Sequence, residues 1–203
     1  PMKGVFIFSA PSGSGKTTIL KQIFEKFPNL FGFSVSATNR PARDGEIDGR
    51  DYYFLSDNQM KEKIENGDFL EWEQVYEGRY YGTLKSELDR IWSEGKVVVF
   101  DVDVKGGINI KNMLKDEAFA IFIMPPSVEE LKKRLEGRNT ETAESLQQRL
   151  ARAEMEISKS DNFDTVILND DLTLAVNEVE KCIGEQLRKW DILKYQTTDC
   201  NEE

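Results

Sequence analysis

The chain has 203 residues, enough for one well-buried core with a small inserted lobe, so a single compact unit is expected. Its formal charge of −10, from 37 acidic and 27 basic side chains, speaks against a general nucleic-acid surface, because phosphate backbones demand clustered lysine and arginine. No histidine occurs, which removes histidine triads, histidine zinc sites and imidazole general bases together.

The apolar run VFIF at 5–8 reads as a buried strand, APSGSGKTT at 10–18 follows it closely, and the spacing of ILKQIFEKF predicts a helix over 16–27. Strand, glycine loop, Lys-Thr and helix, in that order, is the setting in which a phosphate-binding loop makes physical sense. Gly13 and Gly15 let the backbone curl with its N–H groups inward, Lys16 can reach terminal phosphate oxygens, and Thr17 offers a hydroxyl to a magnesium ion. The helix N-terminus adds partial positive charge. Ala10 stands where the first glycine of such loops is usual, but Pro11 biases it towards an extended conformation, so no glycine-only dihedral is required. A plain strand-to-helix turn with a chance lysine is the bland alternative, and the agreement of both flanking periodicities speaks against it.

From about 36 to 82 the pattern changes. YYFL, FLEWEQV and RYYG are aromatic, partly alternating segments joined by charged turns, which suggests a small antiparallel insert. Arg40 and Arg43 follow the strand-like FSVSA with Pro41 stiffening the turn between them, a fork suited to a phosphate dianion. Inside the insert, Ser56 with Gln59 and Gly67 bracket a helix by an N-cap pair and a C-terminal glycine.

VVVF at 97–100 is the next buried strand and ends in Asp101 and Asp103, carboxylates that would sit beside the glycine loop and could orient a magnesium-bound water. Helices are expected over roughly 104–115 and over 127–136, the latter with Ser127 and Glu130 as a capping box, on either side of the strand FAIFIM. The highly charged stretch 137–161 reads as a solvated, mobile pair of helices. Arg134, Arg138 and Arg149, in and around it, are singly ordinary surface charge, yet with the loop they suit a lid over polyphosphate. TVIL at 165–168 is the last strand, and Leu172, Val176, Val179, Ile183, Leu187 and Trp190 form one core-facing stripe on a helix over about 172–194, ahead of the frayed tail TTDCNEE. Cys182 and Cys200 fit no metal-ligand spacing and no disulfide framework. No apolar run reaches the roughly 18–20 residues of a membrane span and no signal segment opens the chain, so a cytoplasmic location is expected. Strands alternating with helices mean an α/β domain whose mainly parallel sheet is covered on both faces, with ligands gathering at the strands' carboxyl ends.

Taken together, SAPSGSGKTT, FGFSVSATNRPARDGEIDGRDYYF, FLEWEQVYEGRYYGT, DVDVKGG, PPSVEELKKRLEGRNTET and ILNDDL resemble the guanylate kinases, within the nucleoside monophosphate kinase class, from about residue 3 to 190. The resemblance implies one P-loop NTPase-like domain over 1–203: a mainly parallel sheet flanked by helices (about 1–35, 84–136 and 162–196), a small mixed α/β GMP-binding insert (about 36–83) and a helical lid (about 137–161). It implies direct in-line transfer of the γ-phosphoryl group of Mg·ATP to GMP, and to dGMP, by a monomer or weak homo-oligomer with no nucleic-acid or membrane partner. Carried over residue by residue, Ala10, Pro11, Ser12, Gly13, Ser14, Gly15, Lys16, Thr17, Thr18 and Asn169 bind ATP, although Asn169 and Asp170 read equally well as a turn after a strand. Arg40, Arg43, Tyr52 and Tyr81 match positions that hold the GMP phosphate, and Ser36, Glu71 and Thr83 match those that contact guanine. Asp103 matches a position near GMP and the metal. Thr17 and Asp101 are the metal candidates, and whether Asp101 or Asp103 orients magnesium stays open. Lys16, Arg134, Arg138 and Arg149 are the expected catalytic cations.

Guanine presents adjacent N–H donors that an ionised Glu71 can accept together, whereas adenine presents an acceptor there, and sites built on such bonds discriminate by factors on the order of 10⁴. Guanylate-kinase-like binding modules, a non-enzymatic alternative, typically lose the phosphate loop, which this chain keeps. Glu71 and the tyrosine set speak against a kinase for another phosphorylated acceptor, and no Asn-Lys-x-Asp motif supports a GTPase switch.

Overall fold

A computed structural model of the protein describes residues 3–137 and 142–192. In chain order its elements are β1 (Val5–Ser9), α1 (Lys16–Lys26), β2 (Phe31–Phe33), β3 (Ala37–Thr38), β4 (Tyr53–Phe54), α2 (Asp57–Glu65), β5 (Phe69–Tyr76), β6 (Arg79–Leu84), α3 (Ser86–Ser93), β7 (Val97–Asp101), α4 (Val104–Leu114), β8 (Ala118–Met124), α5 (Val128–Glu136), α6 (Ala143–Ser158), β9 (Thr165–Leu168) and α7 (Leu172–Lys189).

Five strands form a parallel sheet in the order β2-β7-β1-β8-β9. Successive side chains of a strand point to opposite faces. Phe6, Phe8, Val97, Val99, Ile121 and Ile123 therefore pack against α1 and α7, while Val5, Ile7, Val98, Phe100, Ala120 and Phe122 pack against α3 and α4. Both faces being covered is what makes these runs continuously apolar. The edge strand β9 departs from that expectation: Val166 and Leu168 are 42% and 51% exposed, because among the described residues no helix covers its second face.

The four-stranded sheet, ordered β4-β3-β6-β5, is mixed rather than purely antiparallel, since β3 and β4 run parallel. The strand-like FSVSA is not one strand. The Ser34 N–H still bonds to the Val99 carbonyl at 3.0 Å in the parallel sheet, whereas Ala37 pairs with Gly82 and Tyr53 in the mixed one. The chain thus crosses between sheets at 34–36, and Ala37, Met60, Phe69 and Leu84 begin a separate small core.

Helix α2 carries both bonds of its capping box between Ser56 and Gln59. Helix α5 has half of one: Ser127 accepts the Glu130 N–H at 3.0 Å, while the Glu130 carboxylate lies 3.4 Å from Arg134 Nε. Within 142–161 there is one long helix, α6, rather than a solvated pair, and Leu146, Leu150 and Ala153 on it pack against Leu131 and Leu135 of α5. Helix α7 stops at Lys189, short of the expected 194. There Trp190 packs 5.1 Å from Phe6 and Asp191 turns the chain with φ 56°. Arg138 and the segment TTDCNEE, with Cys200, lie outside the described residues. Among the described residues no helix is long and apolar enough to cross a membrane.

Candidate active site

Between β1 and α1 the backbone turns through Gly13 and Gly15, each at φ 85°, a region that side-chain-bearing residues rarely adopt. Ala10 carries no positive φ, as the proline after it predicts. The loop is braced from inside: the Ser14 hydroxyl and N–H both donate to the Pro11 carbonyl, at 2.7 and 3.2 Å. From the far end of the chain the buried Asn169 donates its amide to the Ser14 carbonyl at 2.8 Å, and its Nδ2 would meet any Cβ added at Gly15 at 2.4 Å. Asn169 thus lies behind the loop, as part of its support.

The concave side of the loop opens into a cavity of about 620 Å³ lined by residues 10–18, Asp101, Val102, Asp103, Arg149, Arg152, Ala153 and Glu156. Lys16 Nζ pairs with Asp101 Oδ1 and lies 3.4 Å from the Val102 carbonyl. Arg134 reaches the Gly13 carbonyl at 3.5 Å, and Arg149 lines the cavity from α6. Next to it, Arg152 donates to Glu156 at 2.6 Å and lies 3.5 Å from Asp103. Sequence reasoning passed over Arg152. The available signal was its spacing of three from Arg149, which puts both on one helix face.

A second cavity, of about 430 Å³, is lined by Ser36, Arg43, Tyr52, Glu71, Glu73, Val75, Tyr81, Gly82, Asp101, Val102 and Asp103. It lies between the two sheets, and Asp101, Val102 and Asp103 are common to both cavities. Asp103 caps α4 by accepting the Gly106 N–H at 2.7 Å. Glu71 accepts the Thr83 hydroxyl at 3.0 Å, so the buried Thr83 orients a carboxylate that faces the cavity. Burial, more than any other cause, pushes the Glu71 pKa up, and the Thr83 hydrogen bond opposes it.

The two arginines of the fork differ. Arg40 donates through both terminal nitrogens to Glu46, at 2.7 Å each, and stacks 5.0 Å from the Tyr52 ring and 5.6 Å from that of Phe54. The Glu46 carboxylate also accepts the Arg43 N–H at 2.8 Å, and the Arg40 and Arg43 bonds hold its pKa down at about 2. Arg43 directs its exposed side chain to the cavity instead. The structure thus brings together all the expected residues it describes, with Arg40, Thr83, Arg134 and Asn169 off the cavity walls rather than on them.

A glycine loop between a parallel strand and a helix, with cations around it and a second polar cavity meeting it at one strand end, defines a P-loop nucleotide-binding protein of the phosphotransferase type. The family model for guanylate kinase matches residues 2–186, and the chain belongs to that family. It is 48% identical over 178 residues to a guanylate kinase of Salinibacter ruber, covering 88% of this chain and 94% of that protein. To one of Porphyromonas gingivalis it is 46% identical over 188 residues, covering 93% of this chain and 100% of that one. The crystal structure of guanylate kinase from Anaplasma phagocytophilum superposes with a TM-score of 0.67 at 30% identity, over 92% of this chain and 88% of that chain.

Proposed function

We infer that ATP and GMP occupy the two cavities and react where those cavities meet. The chain is an ATP-dependent kinase that phosphorylates GMP, as its family membership requires. In-line transfer is supported by one observation above the rest: Asp101, Val102 and Asp103 wall both cavities, so a γ-phosphoryl group in one and a phosphate in the other approach end to end. A GMP phosphate oxygen forms the new bond to phosphorus while the bond to the ADP β-phosphate oxygen breaks.

The acceptor phosphate has a second pKa of about 6 and is largely ionised near neutrality, so no general base is needed. That suits a protein without histidine. Gly13, Gly15 and their neighbours cradle the ATP phosphates with backbone N–H groups, Lys16 exchanges Asp101 for a phosphate oxygen, and Arg134, Arg138 and Arg149 balance the migrating charge. Asn169 supports ATP binding through the loop. Arg43, Tyr52 and Tyr81 hold the GMP phosphate, with Arg40 supplying charge from behind Tyr52. Glu71, aimed by Thr83, takes the guanine edge, with Ser36 beside it. The mixed sheet with α2 is then the acceptor lobe, and α6 the lid that excludes water.

Kinases of this type generally use Mg²⁺. The Thr17 hydroxyl and Asp101 carboxylate are hard oxygen donors on the loop cavity, and this small donor set suits an ion that prefers to keep water and phosphate oxygens. They would hold it, where it neutralises charge across the phosphates. Asp101 is the better candidate, because Asp103 already spends one oxygen on the Gly106 N–H. Coupled ADP release with GMP, dGMP, AMP, UMP and CMP as acceptors tests the reading. GMP and dGMP should be used well and the others poorly, and comparable turnover of AMP would overturn it.

A further inference from the structure

Among the described residues the most deeply buried charged side chain lies outside both cavities. It is Glu87 on α3, only 2% exposed. Its Oε1 accepts the Tyr53 hydroxyl at 2.5 Å, and its Oε2 accepts the Val35 N–H at 3.2 Å and an Arg90 Nη2 proton at 2.6 Å. The same guanidinium donates to the Phe33 carbonyl at 3.1 Å. One carboxylate thus gathers the end of β2, the crossing between the two sheets, strand β4 and its own helix. An ion in such a place is tolerated only when its acceptor sites are filled, and here they are filled from separate stretches of chain.

Two of its three partners adjoin a residue of the acceptor cavity. Val35 precedes Ser36 and Tyr53 follows Tyr52, and Ser36 and Tyr52 both line that cavity. The two stretches are also tied to each other, the Tyr53 N–H donating to the Ser36 carbonyl at 2.8 Å. In extended chain, neighbouring side chains point to opposite sides, so pinning the Tyr53 ring to α3 turns Tyr52 the other way, into the cavity. Burial and the Glu87 charge push the Tyr53 pKa up, which keeps its hydroxyl protonated as a donor.

We propose that Glu87 is a positioning residue for the acceptor nucleotide, pinning the sheet-to-sheet crossing and β4 to α3 so that Ser36 and Tyr52 face GMP. It touches no substrate. The inference rests on the assignment of GMP to this cavity, and it predicts that loss of the pin is felt by GMP and not by ATP.

The test compares the full-length wild type with Glu87→Gln, Tyr53→Phe and the double variant, measuring kcat, both KM values and thermal unfolding. Glu87→Gln should raise KM for GMP about tenfold and leave KM for ATP within about twofold, since one charge-assisted pairing is lost at the acceptor side alone. Tyr53→Phe keeps the ring and the Glu87–Arg90 pair, and should raise KM for GMP about threefold. The double variant should be no worse than Glu87→Gln, because both act through one pin. A lower melting temperature with both KM values unchanged, or an equal rise in both, would overturn the proposal. Should Glu87→Gln fail to fold, Tyr53→Phe decides by the same split. A wild type that ignores GMP would instead remove the functional reading itself.

Discussion

Glu71→Gln keeps the shape of the side chain and removes its charge, which isolates the proposed guanine contact. The carboxylate already accepts the Thr83 hydroxyl on Oε1, and Oε2 lies beside Gly106, where an added Cβ would come within 3.4 Å of it. A carboxylate there can accept both N–H donors of the guanine edge. A glutamine accepts one and turns its own NH₂ towards the other. The loss of a charge-assisted bond, about 1.5–3 kcal/mol, together with an opposed donor, about 1–3 kcal/mol, comes to about 3–4 kcal/mol once rotation of the Thr83 hydroxyl offsets a part. That corresponds to a fall in kcat/KM for GMP of roughly 10²–10³. Stability should move the other way. Because burial raises the folded-state pKa of Glu71, its contribution to stability is full below the ordinary carboxylate pKa and lost as pH rises through the raised value. At neutral pH the ionised group therefore works against folding, and the glutamine variant should melt at the same temperature or higher. The assay is coupled ADP release with each substrate varied at saturation of the other, alongside calorimetry. In the wild type, GMP use should also weaken as pH falls through the Glu71 pKa, more than in the variant, which lacks that carboxyl. A kcat/KM for GMP within about threefold of wild type, or a parallel rise in KM for ATP, would refute the reasoning.

Lys16→Ala should lower kcat by at least about 10²–10³ with the fold intact, because Asp101, its partner, is 41% exposed and remains solvated; near-normal turnover would take Lys16 out of the chemistry. Asn169→Ala should raise KM for ATP about tenfold and cost about 1–3 kcal/mol of stability, since the Ser14 carbonyl loses its partner, and an unchanged KM would mean that the loop holds its shape without the brace. Glu46→Gln tests the Arg40 pair through pH. The folded-state pKa of Glu46 is down at about 2, so its stabilisation is present above the usual 4.5 and lost as pH falls through about 2. The melting-temperature gap between wild type and variant should be constant above that usual value and close below it, and a gap independent of pH would contradict the pairing.

The phosphate loop was legible because its determinants are local: an apolar strand, glycines where φ becomes positive, and a helix start, all within fifteen residues of chain. Helix α2 was legible for the same reason, its Ser56 and Gln59 being partners three residues apart. The split of FSVSA was not. Nothing in its apolar pattern distinguishes hydrogen bonds to Val99 from pairing with Gly82, which lie in different sheets. Helix α3 has only eight residues, and although its apolar positions are well segregated to one face, the meaning of its one buried charge, Glu87, depends on residues 34 and 52 positions away.

By itself the sequence determined which groups are available: a cradle of backbone N–H donors, a carboxylate in the insert, and cations without a histidine among them. Which of those groups face substrate and which hold others in place was decided only in three dimensions. Arg40 and Arg43 look alike along the chain, yet Glu46 occupies the first and leaves the second for the cavity. Asn169 supports the loop across a separation of 155 residues. Propensity and periodicity act between near neighbours in sequence, whereas hydrogen bonds and ion pairs fall off with distance through space, and only the folded chain sets that distance.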